Sequence, residues 1–349
     1  MKRAPRFIQP FFLVKGLDFM IELLEKLIGI PSVTGDEYHI GQFLVGLLND
    51  KGYKVTTQPV GQNRFNIIAL TDSDPFILFN THIDTVPPFI PASREGDRIY
   101  GRGACDAKGQ IVTILDAADR LLKENINSFG LLFVVGEEVE SDGAKIAAGL
   151  NLNSRYLIIC EPTENKLVVG QKGTIVFRIK AKGSGGHSCH PEKGESAVHQ
   201  ILSCLSLWPD FDWGTDPFFG RSTVNIGKIS GGTGINILAE HAEAEGIFRV
   251  ATSVKQLKQK MRQLNNTQVD IEILSESDPQ KLLQLDGFET DVVGFGTDAS
   301  YLKSLGDILL LGPGSIEFAH CQNEHIHITD LNEGSDLLVK MVKQLLKGI

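Results

Sequence analysis

The stretch Phe76-Ile77-Leu78-Phe79-Asn80-Thr81-His82-Ile83-Asp84-Thr85-Val86-Pro87-Pro88 is where the fold becomes readable. Its apolar opening, followed by polar and turn residues, reads as a buried strand. The strand ends in His82-x-Asp84, so it carries an imidazole and a carboxylate to one rim of a sheet. That pair suits a metal site in which His82 ligates and Asp84 sets the orientation of its ring. It suits equally well a turn with a satisfied histidine. The choice depends on what else reaches the same rim.

Upstream, Met20, Leu23, Leu24, Leu27 and Ile28 have helical spacing, and Pro31 ends that segment. Thr34-Gly35-Asp36-Glu37 has the form of a capping box opening a second helix, with Ile40, Phe43, Leu44, Leu47 and Leu48 on one face. Strands are expected over 53–58, 66–71 and 76–80. Downstream, Tyr100-Gly101-Arg102-Gly103-Ala104-Cys105-Asp106-Ala107-Lys108-Gly109 leads into a long helix whose buried face is Ile111, Ile114, Leu115, Ala118, Leu121 and Leu122. Further strands at 131–135 and 156–159 end in Gly136-Glu137-Glu138 and Cys160-Glu161-Pro162-Thr163, with a short helix over 143–148 between them. Strands alternating with helices predict an α/β fold with a mostly parallel sheet flanked by helices. In such sheets, sites form beyond the carboxyl ends of the strands.

From about Gly173 the texture changes. An alternating strand over 174–182 runs through Gly183-Ser184-Gly185-Gly186 into His187. A helix with Val198, Ile201, Leu202 and Leu205 on one side follows. Strands are then expected near 223–229, 242–250 and 269–274. This order, strand–helix–strand–strand, predicts a smaller α+β domain inserted over 173–278. The catalytic domain would then consist of residues 1–172 and 279–349, the latter with a strand at 308–311 and a helix from about Asp330.

Composition excludes several classes. Hydrophobic residues make up 42% and charged residues 22%, which supports a packed core. The net charge of -9 argues against a nucleic-acid partner. The five cysteines form no C-x-x-C pair, so neither a disulfide framework nor a zinc ribbon is expected, and a cytoplasmic setting fits. Gln9 and Pro10 interrupt the apolar residues near the start, so no secretory leader is expected. No apolar run has the length of a membrane span.

His82, Asp106, Glu137, Glu138, Glu161 and His320 thus lie at strand ends or in loops beside them. Mixed histidine and carboxylate ligands suit Zn²⁺, Co²⁺ or Mn²⁺, and the lack of thiolates argues against a structural zinc. A shared Asp is what a two-metal site needs. Adjacent carboxylates such as Glu137-Glu138 repel unless cations compensate, and one of them beside bound water can be a general base. Taken singly, each residue has a plainer reading. Glu137-Glu138 could be a solvated loop, Asp106 a helix cap, Glu161 a surface turn and His320 a core histidine. His39, His199, His241 and His325 read as structural, with His190 and His327 undecided.

Together the motifs resemble the M20 metallohydrolase family, the group of acetylornithine deacetylase, succinyl-diaminopimelate desuccinylase, aminoacylase and carboxypeptidase G. The resemblance rests on HIDTVP at 82–87, GRGACDAKG at 101–109, GEE at 136–138, EPT at 161–163, GGHS at 185–188 and AHCQNE at 319–324, in the family's order. It implies two divalent metal ions, Zn²⁺ or Co²⁺. His82 and Glu161 would hold one, Glu138 and His320 the other, and Asp106 would bridge them. Asp84 would support His82, and Glu137 would be the general base and then the general acid. The inserted domain is similar to the family's lid and dimerisation domain, so a homodimer is implied, with His187 donating to the substrate carbonyl. Asn236 and Arg249 would bind substrate, Arg249 as a carboxylate clamp. Leu238 stands where the family usually has Pro, which loosens the match at Asn236, and Arg249 could also be a structural ion pair. The implied substrate is a small N-acyl amino acid, and the acetylornithine deacetylase branch of arginine biosynthesis is the expectation. An N-acetylcitrulline deacetylase, a hydrolase releasing lysine or ornithine from a carrier protein, and a dipeptidase share the same chemistry. A homologue without catalysis, serving as a metal-binding scaffold, is the alternative from another class.

Overall fold

A computed structural model describes residues 16–71, 75–264 and 269–348. Gln9 and Pro10, on which the leader expectation rests, lie outside the described residues. The chain divides into two compact units. One comprises Met1–Leu167, Leu283–Glu289 and Tyr301–Ile349, the other Val168–Leu282 and Thr290–Ser300. The second is wider than the insert expected at 173–278.

In the first unit the strands lie in the order Lys54–Gly61, Arg64–Leu70, Phe129–Val134, Ile77–His82, Tyr156–Ile159, Asp307–Leu310. The last four are mutually parallel. The first two are antiparallel to their neighbours, so the sheet is mixed. The cause is local. Gly61 pairs with Arg64 across the two-residue loop Gln62-Asn63, and Asn63 takes φ 58°. A two-residue hairpin of this kind joins only antiparallel strands.

Strands Ile77–His82 and Phe129–Val134 are buried at every position, as strands covered on both faces must be. The helix Lys108–Lys123 is expected to bury one face, but every residue from Lys108 to Ala118 is buried, Thr113 and Asp116 included. Helices Leu17–Ile28 and Ile328–Lys347 both pack against it, and residues of all three helices share one hydrophobic core with the sheet. Asp116 is held there by Ser335, whose hydroxyl donates to it at 2.5 Å. Leu122, expected in the buried face, is only half-buried.

The capping box expected at Thr34–Glu37 does not form. Glu37 precedes the helix Tyr38–Asp50 but caps nothing with its side chain. It is buried and receives two hydrogen bonds from Arg64, both at 2.7 Å. The backbone N–H of Thr34 donates to the Thr85 carbonyl instead. A buried carboxylate is stabilised far more by a forked guanidinium than by one backbone N–H, and that competition decides the local structure.

In the second unit an antiparallel sheet has the order Thr223–Gly231, His241–Val250, Gly173–Lys182, Val269–Ser277. Phe177, Trp208, Trp213 and Phe248 fill its core, and the Trp213 indole N–H donates to the Trp208 carbonyl at 2.9 Å. The helix Ala197–Leu205 buries Ala197, Gln200, Ile201 and Cys204, while Leu202 is half exposed, so its inward face is rotated from the one expected. A second helix, Val254–Leu264, is absent from the sequence reading. Val254, Leu257 and Met261 are buried, at the spacing i, i+3, i+7 within an otherwise largely polar run. The order is therefore strand–helix–strand–strand–helix–strand. Among the described residues, no helix is long and apolar enough to cross a membrane.

Candidate metal centre

Three neighbouring parallel strands end at one rim of the first unit's sheet. Strand Ile77–His82 ends on His82, Phe129–Val134 precedes Glu137 and Glu138, and Tyr156–Ile159 precedes Glu161. Asp106 comes from the loop before the helix Lys108–Lys123, and His320 from the loop after the short helical turn Ile316–Phe318.

Asp106 stands between the two imidazoles. Its Oδ1 lies 2.9 Å from His82 Nε2 and its Oδ2 3.3 Å from His320 Nε2. His320 Nε2 also lies 2.9 Å from Glu138 Oε2, and His82 Nε2 lies 3.8 Å from Glu161 Oε2. His82, Asp106 and Glu138 each offer a ligand atom, all within 4.8 Å of one another.

Asp84 sits behind this cluster, fully buried. Its backbone carbonyl and Oδ1 lie 3.1 and 3.3 Å from His82 Nδ1. Two acceptors on that nitrogen favour a proton there, which leaves Nε2, facing Asp106, as the nitrogen available to a metal once the ring is neutral. The same carboxylate receives the Thr34 hydroxyl at 2.8 Å and the backbone N–H groups of Glu137 and Glu138 at 3.1 and 3.2 Å. One side chain therefore ties His82 to the Glu137-Glu138 loop. At the head of that loop Gly136 takes φ 78°, and a Cβ there would meet Asp142 Oδ1 at 1.9 Å and Arg64 Nη2 at 2.7 Å. Only glycine fits.

The electrostatics follow from burial. Burial alone would depress the His82 pKa, but Glu161, Asp106 and Asp84 hold it well above 6.5. His320 is raised to about 10 by its hydrogen bonds to Asp106 and Glu138. Burial would raise Asp106, but hydrogen bonds from His320 and His82 keep it below the usual carboxylate range. Glu138 is pushed up by burial and by the charge of Asp106. Its Oε1 is buried and has no hydrogen-bond partner among the described residues. An orphaned carboxylate oxygen beside two imidazoles and a shared Asp is a donor set that a divalent cation satisfies.

This arrangement has a measurable consequence. An imidazole ligates only when its ligating nitrogen is free of a proton, so metal and proton compete. With both histidine pKa values raised, the metal-free rings are protonated at pH 7. Metal uptake at pH 7 should release about one to two protons, and affinity should weaken as pH falls below about 10. Calorimetry in buffers of different ionisation enthalpy reads this release directly; metal uptake with no proton release removes His82 and His320 from the ligand set.

The structure brings Asp84, His82, Asp106, Glu138, Glu161 and His320 together, with Glu137 on the same loop as Glu138. The other candidates belong to the second unit. His187 is exposed, and its Nδ1 accepts the backbone N–H of Cys189 at 3.2 Å. The backbone N–H of Ser188 donates to the Asn236 carbonyl at 3.0 Å, which sets the His187 and Asn236 segments side by side. Arg249 is half-buried on the strand His241–Val250, opposite Thr223 and Thr174. Sequence reasoning gave Thr34 only a capping role and no individual role to Arg64, Arg102 or Glu324, which are buried or half-buried and bonded into the rim. A charged residue within a run of small or apolar residues, as Arg102 is, was the available signal.

A family model described as Peptidase family M20/M25/M40 matches residues 78–344. A peptidase M20 domain-containing protein of Schizosaccharomyces pombe is 39% identical over 338 residues, covering 93% of this chain and 84% of the relative. A protein of Aspergillus flavus named as a probable carboxypeptidase is 34% identical over 370 residues, covering 92% and 86%. A tripeptidase from Staphylococcus aureus has the same fold, with a TM-score of 0.80 at 21% identity over 95% of this chain and 99% of that one. A Bacillus subtilis protein described as a dinuclear metal binding peptidase of the M20 family gives 0.68 at 16% identity over 95% and 99%. The family match spans most of the chain and includes every residue of the rim cluster, and on that ground the chain belongs to peptidase family M20, hydrolases of amide and peptide bonds.

Proposed function

We propose that this hydrolase cleaves the amide bond between a short acyl group and an amino acid whose carboxylate is free, with N-acetylornithine-type substrates as the leading candidates. The observation that carries the reading is Asp106 set between His82 and His320, its two oxygens each facing one ring nitrogen. In this reading His82 and Glu161 would hold one divalent ion, His320 and Glu138 the other, and Asp106 would be shared, with Zn²⁺ or Co²⁺ suited to the mixed ligands. Bound there, the ions supply Lewis-acid polarisation of the scissile carbonyl and lower the pKa of the attacking water.

The chain's own residues do the rest. Glu137 takes the proton of the attacking water on its carboxylate and later delivers it to the leaving nitrogen. Asp84 keeps the His82 ring in its ligating tautomer and, through the N–H of Glu137, fixes the base beside it. His187 donates to the carbonyl oxygen as negative charge builds there. Arg249 pairs with the free carboxylate, for which its planar fork is suited. The second unit, in this reading, closes over substrate and pairs two copies into a homodimer. Five free cysteines support a reducing, cytoplasmic setting.

A carboxypeptidase is the second reading, favoured by the name of the Aspergillus relative. Both readings need a free carboxylate on the released amino acid and differ in what is attached to its nitrogen. The deciding experiment is turnover by metal-stripped protein reloaded with Zn²⁺ or Co²⁺. The panel holds acetyl-ornithine, acetyl-citrulline, acetyl-lysine, succinyl-diaminopimelate, N-blocked dipeptides, free dipeptides and their carboxamides. Preference for acetylated amino acids supports the first reading and preference for N-blocked dipeptides the second. Faster cleavage of the carboxamides removes Arg249 from its role, and no turnover of any member leaves a metal-binding homologue without catalysis.

A further inference from the structure

Glu324 is a buried carboxylate, 1% exposed, on the last residue of the stretch Ala319–Glu324. Four donors converge on it. Its Oε1 accepts the backbone N–H groups of Gly103 at 2.9 Å, Cys105 at 3.2 Å and Asp106 at 3.2 Å. Its Oε2 accepts Arg102 Nη1 at 2.6 Å. Arg102 is itself buried, and the same Nη1 also donates to the Cys321 carbonyl at 3.4 Å, while Nε donates to the Pro88 carbonyl at 3.2 Å. The link is reciprocal, because the N–H of Gly101 donates to the Glu324 carbonyl at 3.0 Å.

One ion pair thus joins two loops far apart in sequence. Each loop carries one residue of the cluster, Asp106 on the first and His320 on the second. Neither loop holds its shape by regular structure. Gly103 takes φ 87°, and a Cβ there would press on Lys108 and Thr85 at 2.8 and 3.0 Å. His320 is not glycine yet takes φ 61°, a conformation that persists only where the surroundings impose it. A row of backbone N–H groups converging on one carboxylate is a cradle for an anion, and here the anion is supplied by the loop that carries His320. A buried ion pair adds little net stability over apolar packing, so its chief physical consequence is to select one geometry.

We infer that Glu324, with Arg102, is the positioning pair that sets the separation between Asp106 and His320 before metal arrives. The pair touches neither substrate nor the reacting atoms. Its influence passes through the backbone N–H of Asp106 and the carbonyl of Cys321. The inference rests on the metal reading above.

The test is Co²⁺ titration of the full chain, read by affinity and by the visible spectrum of the bound ion, with thermal melting of the metal-free protein alongside. Glu324→Ala should weaken Co²⁺ binding about 10–100-fold, the range for residues that orient metal ligands, and should change the spectrum. Glu324→Gln keeps an oxygen that can accept the three N–H groups and should recover most of the affinity. Wild-type Co²⁺ affinity and spectrum in Glu324→Ala, whatever its melting temperature, overturn the inference while leaving the metal reading intact. Failure of the wild-type protein itself to bind Co²⁺ overturns both. If Glu324→Ala does not fold, Arg102→Met reads the same two quantities against the same outcomes.

Discussion

Asp106→Asn should strip the protein of its metal ions and leave no measurable turnover. The two oxygens of Asp106 face two different imidazoles, at 2.9 and 3.3 Å. Asparagine keeps the shape but turns one of those oxygens into an NH₂ group, which is a donor and cannot ligate. It also removes one negative charge from a site where Glu138 and Glu161 then face the cations without the shared carboxylate. Loss of an outer partner of a metal ligand typically costs about 10–100-fold in affinity, so loss of a bridging ligand should exceed about 100-fold. Metal analysis after gel filtration, together with the hydrolysis assay, reads both effects. Two equivalents of metal retained by Asp106→Asn would exclude a bridging role.

Glu137→Gln should give the opposite separation, with metal kept and chemistry lost. The hydrogen bond from Glu137 to Asp84 runs through its backbone N–H, so the amide side chain leaves the loop and the ligands in place. A positioned general base contributes about 10²–10⁴ in rate. At about 1.36 kcal/mol per tenfold, that is about 3–5 kcal/mol of barrier. The fall should appear in kcat, with KM and metal content near the wild-type values. Wild-type kcat in Glu137→Gln would pass the proton transfer to another group, and loss of metal would place Glu137 among the ligands.

These two substitutions address residues that local pattern had already singled out. His82, Glu137, Glu138 and Glu161 were legible because a strand of apolar residues that stops at a charged one announces its own end. Where parallel strands are neighbours, those ends share a rim. The α/β character of the chain, the inserted unit and the long central helix followed from the same periodicities. Local pattern failed where two periodicities competed or where the signal was weak. In the helix Val254–Leu264 the buried residues Val254, Leu257 and Met261 stand within a largely polar run, a weak periodic signal. The turn at Gln62-Asn63, which makes the first two strands an antiparallel hairpin within a mostly parallel sheet, carried no signal that set it apart in the sequence.

The chemistry of the cluster is therefore written in the residue types and their order along the chain, because strand ends and the loops beside them are short-range features. Its rigidity is not. Thr34 reaches Asp84 across 50 positions, Arg64 reaches Asp142 across 78, and Glu324 reaches Asp106 across 218. Whether Glu37 caps a helix or closes an ion pair with Arg64, and whether Glu324 is a solvated acid or the clasp between two loops, is settled by burial. A charge removed from water takes whichever partner the packed chain brings within reach, and that partner is chosen by the folding of distant segments onto one another.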